Sequence, residues 1–99
     1  MESLRIVDHA VAHGVPVWSG GMDETGIGRA VNIHLQTVEG FSLPGDTSET
    51  RRYFVEDIAD PPVLLDAEGF IEVPHGPGIG VTVVPERLRA FMIHRERLR

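Results

Sequence analysis

A short apolar run, a glycine-rich corner and a long amphipathic stretch together constrain this chain most. Residues 15–18, Val-Pro-Val-Trp, are too few for a helix and are typical of a strand covered on both faces in a parallel sheet. Residues 26–38 carry apolar side chains at helical spacing, and Gly40 ends the pattern. Because parallel strands are joined through crossovers that are usually helical, this order predicts an α/β fold. The apolar positions of the predicted helix are Ile27, Ala30, Val31, Leu35 and Val38.

Another helix is predicted ahead of this strand. Apolar residues recur at helical spacing between Ser3 and His13, and Gly14 stands where a left-handed C-cap belongs. The chain therefore opens with a helix, a strand and a helix joined by short connections. The apolar residues of the first helix are Leu4, Val7, Ala10 and Val11.

The second half of the chain has a different character. Residues 41–50 are polar and turn-forming, which predicts an ordered loop. Residues 53–55 fit a short strand or the start of a helical turn equally well. Residues 63–65 and 70–73 are predicted to form a β-hairpin, with Gly69 supplying a positive φ in the turn.

A helix is predicted near the C-terminus. Residues 81–84 read Val-Thr-Val-Val, and Pro85 after them suits the first position of a helix that carries Leu88, Phe91, Met92 and Leu98. The preceding Gly76–Gly80 turn is not a P-loop, because no lysine follows it and the strand-to-helix context is absent.

Composition excludes several classes of function. A formal net charge of −6 disfavours nucleic acid and membrane partners, which require clustered positive surface. All nine basic residues are arginines, so the chain lacks the side chain that most readily becomes a neutral base or a Schiff-base nucleophile. The absence of cysteine excludes disulfides and thiolate chemistry, and it fits a cytoplasmic protein.

The glycine corner, residues 19–22, is the first candidate site. It follows a predicted strand and precedes a helix whose positive N-terminal end favours a carboxylate or phosphate. Adjacent glycines let a ligand approach the backbone closely, but they also suit a tight turn that binds nothing. Spacing alone leaves both interpretations open.

Other polar groups are weighed against structural roles. His9 and His13 lie four apart on a helix, the spacing of a shared metal site, although solvated surface histidines explain them without a third ligand. His34 is expected to have a hydrogen-bonded packing role, and the C-terminal arginines from Arg87 to Arg99 are expected at a solvated surface. A solvated face rather than a calcium loop is predicted for Glu56, Asp57, Asp60, Asp66, Glu68 and Glu72.

The residues from Val15 to Ala30, together with Asn32 and Leu43–Ser48, resemble the C-terminal region of the enolase superfamily. The resemblance is to the muconate-lactonizing-like subgroup, and within it to o-succinylbenzoate synthases and N-acylamino acid racemases. By this likeness Glu2–Ile6 is similar to the seventh barrel helix, residues 15–18 to the eighth strand and residues 27–38 to the eighth helix. The remainder is similar to the segment that returns to the capping domain.

The resemblance also implies a chemistry. Enzymes of this family use a magnesium ion and a pair of lysines to remove a proton next to a carboxylate, and those groups lie on earlier barrel strands. By resemblance Gly20, Gly21 and Met22 line the substrate pocket, Tyr53 comes close to it, and Asp46 holds the turn. Ser19 stands where the family most often has cysteine or another small residue, and we include it in the substrate-binding set.

We therefore expect a C-terminal fragment of such a barrel, since a full barrel requires about 250 residues. Residues 1–40 would form the barrel segment, 41–60 a connecting loop and 61–99 the return to the capping domain. The fragment is expected to lack catalytic and metal-binding residues, and its partners are a small carboxylate substrate and either further copies or the missing N-terminal part. The alternative is a non-catalytic, self-associating interaction module derived from that fold.

Overall fold

The computed structural model describes residues 2–97, in which three helices and one small sheet are joined by long ordered connections. The helices are α1 (Glu2–Ala12), α2 (Gly26–Gln36) and α3 (Pro85–Phe91), and a 3₁₀ turn covers Thr50–Arg52. The sheet consists of β1 (Ala59–Asp60) and β2 (Thr82–Val83), which are antiparallel, with Ala59 opposite Val83.

The first two helices confirm the sequence predictions to within two residues at each end. The chain leaves α1 through Gly14, which has a φ of 65° and whose N–H donates to the carbonyl oxygen of Val11 at 3.0 Å. This is the left-handed conformation that glycine adopts without steric cost. The predicted C-cap is therefore confirmed.

The predicted strand at residues 15–18 is shorter in the structure. Val17 forms a single parallel bridge with Phe41, and Gly20 forms another with Asp46. Both partner residues follow α2 in the chain. The N–H groups of Ser42 and Leu43 both donate to the carbonyl oxygen of Val17. The predicted order places this segment between α1 and α2, as observed, but a regular strand does not form because residues 41–46 are the one segment of the described chain that pairs with it.

The hairpin is confirmed at one antiparallel bridge, between Leu65 and Ile71. The Asp66 carboxylate accepts hydrogen bonds from the N–H groups of Glu68, at 3.0 Å, and Phe70, at 2.8 Å, and Gly69 between them has a φ of 87°. These bonds fix the turn more firmly than the short ladder fixes the strands. Residues 53–55 form neither a short strand nor the start of a helical turn, because Tyr53 is the C-cap that ends the 3₁₀ turn.

The C-terminal region differs from the sequence predictions in two ways. It forms the sheet of β1 and β2, neither of which was predicted because a strand of two residues carries no periodicity. Pro85 begins α3 as expected, but the helix ends at Phe91 and Met92 is already extended. Leu98 lies outside the described residues.

The chain exposes more surface and is less compact than a folded monomer of its size. Its accessible surface is 7612 Å², whereas a folded monomer of this mass exposes roughly 5600 Å². Its radius of gyration is 15.5 Å, against about 13 Å for a compact domain of this length. No helix among residues 2–97 combines the length and apolar character needed to cross a membrane. The buried apolar residues are Val7, Ala30, Ile33, Ala59 and Val63.

Candidate functional site

The glycine corner is held by the segment that follows α2. The N–H of Asp46 donates to the carbonyl oxygen of Ser19 at 3.0 Å, next to the parallel bridge between Gly20 and Asp46. Asp46 therefore holds the turn, as the resemblance implied, and it does so through its backbone N–H. This pairing fixes the direction in which the corner leaves the strand.

The two adjacent glycines have different roles. A Cβ atom on Gly21 would overlap the carbonyl oxygen of Asp46, whereas a Cβ atom on Gly20 would meet only the Trp18 ring, at 3.4 Å. Close packing of the turn thus explains Gly21 without a ligand. Gly20 is exposed, and no such contact accounts for it.

Glu24 organises the end of the corner, although sequence reasoning did not single it out. One carboxylate oxygen accepts the N–H of Met22 at 2.9 Å, and the other accepts the side-chain amide of Asn32 at 2.8 Å. The carboxylate thereby ties the corner to the middle of α2. An acidic residue two positions ahead of the predicted helix start at residue 26 was the signal that could have revealed it.

The N-terminus of α2 is capped by the chain itself. The N-cap residue Thr25 makes no side-chain capping bond, and instead the N–H of Gly26 donates to a carboxylate oxygen of Asp57 at 2.6 Å. The proposed use of this helix end for a ligand anion is therefore corrected, since the chain supplies the anion. The prediction that Asp57 belongs to a solvated face is wrong as well, because the residue is 3% exposed.

Tyr53 lies beside two arginines. The Cζ atoms of Arg29 and Arg52 are each 5.8 Å from the centroid of its ring, a distance at which a guanidinium is attracted to an aromatic face. Arg29 is fully buried one turn into α2, whereas Arg52 is exposed in the 3₁₀ turn. The ring is thus attached to the helix that follows the glycine corner.

The five predicted substrate-binding residues fall into two groups. Ser19, Gly20, Gly21 and Met22 share the corner, and Tyr53 lies on the connection between the 3₁₀ turn and β1. The surface formed by Met22 and the adjacent Trp18 is exposed to solvent, since Trp18 is 53% exposed and Met22 is 72% exposed. This surface is the open side of the corner. The assignment of both groups to one substrate wall stays a prediction.

Arg87 is another residue for which a solvated surface was wrongly expected. It is half-buried, its Nε lies 2.9 Å from a carboxylate oxygen of Glu56, and its Nη1 donates to the carbonyl oxygens of Asp57 and Ala59. It joins α3 to β1, which only the tertiary structure brings together. His34 confirms its predicted packing role, because its Nε2 lies 3.2 Å from the carbonyl oxygen of Ile79.

The described part of the chain does not assemble a metal centre. His9 and His13 are exposed with ring centroids 4.2 Å apart, and Nδ1 of His13 lies 2.8 Å from the carbonyl oxygen of His9. Within residues 2–97 no three or more histidine, cysteine, aspartate or glutamate side chains group so as to hold an ion. These residues alone do not fit the magnesium that the resemblance implies.

Comparison with known proteins gives the family. The family model for enolase C-terminal domain-like proteins matches residues 1–87. An N-succinylamino acid racemase from an Amycolatopsis species is 50% identical over 88 residues, which is 89% of this chain and 23% of the relative. The o-succinylbenzoate synthase of Bacillus subtilis strain 168 is 44% identical over 91 residues, which is 92% of this chain and 24% of the relative.

Solved structures give the same result. A member of the enolase superfamily from Listeria innocua superposes with a TM-score of 0.82 at 41% identity, over 88% of this chain and 23% of that one. A probable mandelate racemase from Alicyclobacillus acidocaldarius superposes with a TM-score of 0.85 at 30% identity, over 93% of this chain and 24% of that one.

This chain belongs to the enolase superfamily, and its fold is the enolase C-terminal domain-like fold. It spans about a quarter of the length of the relatives that it matches. The sequence-based assignment of the family and of the fold class is confirmed.

Proposed function

We propose that these residues form the closing part of a substrate wall in an enzyme that removes a proton next to a carboxylate. The observation that carries the proposal is the 50% identity to an N-succinylamino acid racemase over an alignment of 88 residues, in a chain of 99. The glycine corner would face the substrate, with Ser19, Gly20 and Met22 at its open side. Gly21 would hold the turn behind them.

The substrate in this proposal is a small carboxylate that carries a succinyl group. Relatives of similar identity are named for the racemisation of N-succinylamino acids and for the synthesis of o-succinylbenzoate. Both reactions begin with loss of a proton α to a carboxylate. In racemisation the proton returns to the opposite face of the carbon, and in the synthase reaction water leaves instead. The proposal includes both.

The open surface supports a larger assembly. The excess of accessible surface over the expectation for a folded monomer, about 2000 Å², is comparable to the area that a stable protein–protein interface buries. The exposed large apolar side chains include Trp18 and Met22 at the side of the corner. We propose that the barrel strands and helices known from the relatives cover this surface.

The catalytic groups in this proposal come from that remaining part of the barrel. The chain has no lysine to act as the proton-transferring base. Magnesium would be bound by the remaining part too, where it would stabilise the negative charge that forms when the proton leaves. We therefore propose that the 99 residues alone do not turn over either substrate, and that the assembled enzyme is cytoplasmic.

A chimera tests the proposal. The chain replaces the matching 88 residues of the Amycolatopsis racemase, and exchange of the α-proton of an N-succinylamino acid is followed by NMR in deuterium oxide. Formation of o-succinylbenzoate is followed in parallel. Activity in the chimera and none in the isolated chain is the expected result. A folded chimera that turns over neither substrate would overturn the proposal, as would full activity of the isolated chain.

The second candidate function is a self-associating module without catalysis, and the exposed apolar surface favours it. Copies of the chain would then cover one another. Light scattering at several concentrations of the isolated chain, combined with the chimera assay, separates the candidates. A defined oligomer together with an inactive chimera would favour the module, and a monodisperse monomer would exclude it.

A further inference from the structure

Arg29 is an unusual residue for its position. Its side chain is 1% exposed, and none of its three guanidinium nitrogens has a hydrogen-bond partner within the described residues. It also lies one turn from the N-terminus of α2, where the helix dipole disfavours a positive charge. A cation in such a place requires a compensating group.

Asp57 is that group. Its carboxylate oxygen lies 3.9 Å from Nη1 of Arg29, so the two interact through charge and not through a hydrogen bond. The carboxylate also accepts the N–H of Gly26 at 2.6 Å and that of Ala59 at 3.4 Å. A single buried carboxylate thus joins the first turn of α2 to β1.

The packing around this pair is tight. A Cβ atom on Gly26 would lie 2.9 Å from the Cβ atom of Ala59 and 3.0 Å from a carboxylate oxygen of Asp57. Such distances show that the backbone of the helix end packs directly against Ala59 and Asp57. The pair therefore fixes the position of the helix N-terminus, which directly follows the glycine corner.

The pair is also connected to Tyr53. The guanidinium of Arg29 lies 5.8 Å from the ring centroid, and Tyr53 is 42% exposed. Tyr53 follows the 3₁₀ turn whose first residue, Thr50, donates its N–H to Val63 at 2.8 Å. The buried guanidinium of Arg29 thereby lies beside the Tyr53 ring. Arg29 itself belongs to α2, the helix that follows the corner.

We propose that Arg29 and Asp57 are positioning residues, which set the distance between Tyr53 and the glycine corner without touching substrate. The proposal rests on the proposed function, in which both groups face the substrate. Loss of the pair would let the aromatic ring move relative to the corner. Substrate would then bind less tightly in both its ground state and its transition state.

The isolated chain provides a spectroscopic test, because Tyr53 is its single tyrosine and Trp18, next to the corner, its single tryptophan. Excitation energy transfer from tyrosine to tryptophan falls steeply with distance. The double variant R29M/D57N leaves no unpaired buried charge, and the asparagine oxygen can still accept the Gly26 N–H. We expect this variant to keep its helical circular dichroism and to lose most of the transfer.

Arg52→Met is the matched control, since Arg52 lies at the same distance from the ring but is exposed. It should retain the wild-type transfer. Wild-type transfer in the folded double variant would overturn the proposal. An equal loss in Arg52→Met would overturn it too, because the effect would then be local to the ring.

Kinetics of the chimera provide the functional test. In the double variant we expect KM to rise about tenfold while kcat stays within about threefold, the signature of lost uniform binding. Arg52→Met should change neither constant. An unchanged KM in the double variant would overturn the positioning role. A chimera that is inactive even with the wild-type sequence would reject the proposed function alone, and the energy-transfer measurement would still decide whether the pair positions Tyr53.

Discussion

Two regions of the molecule differ in how completely they are packed. The junction of α2 with β1 contains Ala30, Ala59 and the buried pair Arg29–Asp57, and its charges are compensated within the chain. Met22 at the corner and the adjacent Trp18 are exposed, although the corner's backbone is hydrogen-bonded to Asp46. The junction is thus packed within the chain, whereas the side of the corner is not. Substitutions in the junction should affect stability, and substitutions at the corner should affect binding.

The largest effect is expected for Arg29→Met, which leaves the Asp57 carboxylate buried without a counter-charge. Breaking a buried pair on one side costs about 3–5 kcal/mol. Small domains have total stabilities of about 5–15 kcal/mol, so the variant should be largely unfolded at moderate urea concentrations. Urea denaturation followed by circular dichroism measures the change.

The control is the double variant R29M/D57N, which should recover most of the loss because no buried charge remains. If the double variant is no more stable than Arg29→Met, the charge pair is not what stabilises the junction. The contrast between the two regions would then lose its physical basis.

A smaller effect is expected for Gly21→Ala, because the new Cβ atom would overlap the Asp46 carbonyl. Overpacking of this kind costs about 1–3 kcal/mol. Gly20→Ala is the matched control, since its Cβ atom would meet only the Trp18 ring, and it should change stability by less than about 0.5 kcal/mol. Equal effects of the two substitutions on the urea midpoint would show that the corner does not pack as described.

Glu24→Ala should loosen the corner by removing the acceptor for Met22 and Asn32. Loss of such hydrogen bonds costs about 1–2 kcal/mol in a half-buried place. Glu24→Gln retains one acceptor oxygen and should cost less. Hydrogen exchange at the Met22 amide measures the effect directly, and unchanged protection in Glu24→Ala would contradict the assigned role.

The smallest effect on stability is expected at the open side of the corner. Met22→Glu places a charge on a surface that is already exposed, so the free energy of unfolding should change by less than about 0.5 kcal/mol. Self-association of the isolated chain should nevertheless decrease, because apolar contact area is lost. Sedimentation velocity of Met22→Glu beside wild type checks this, with Ala67→Glu, which adds the same charge at an exposed position on the hairpin turn, as a charge control. A large loss of stability would mean that the corner is packed within the chain after all.

The helices were predictable because their signals are local. Apolar spacing located α1 and α2, Gly14 marked the end of α1, and Pro85 marked the start of α3. The hairpin turn followed from Gly69 in the same way. Each of these features depends on residues within a few positions of one another, and so it can be read from a single segment.

The candidate site was predictable only in outline. The sequence located the glycine corner and Tyr53 through a family resemblance, but it placed Asp57 and Arg87 at a solvated surface. Asp57 lies 31 positions from Gly26, whose N–H it accepts, and Arg87 lies 30 positions from the Asp57 carbonyl that accepts its N–H. Such pairings have no local signal. The two-residue strands β1 and β2 were missed for the same reason, since they exist only through each other.

The sequence by itself determined the helices, the turns and the family, because propensity, periodicity and motif are properties of neighbouring residues. The tertiary structure decided which charges are buried and what caps the second helix. It also decided which of two adjacent glycines is needed for packing. Those outcomes depend on the distance between segments far apart in the chain, and a buried charge is tolerated only where folding brings its counter-charge to it.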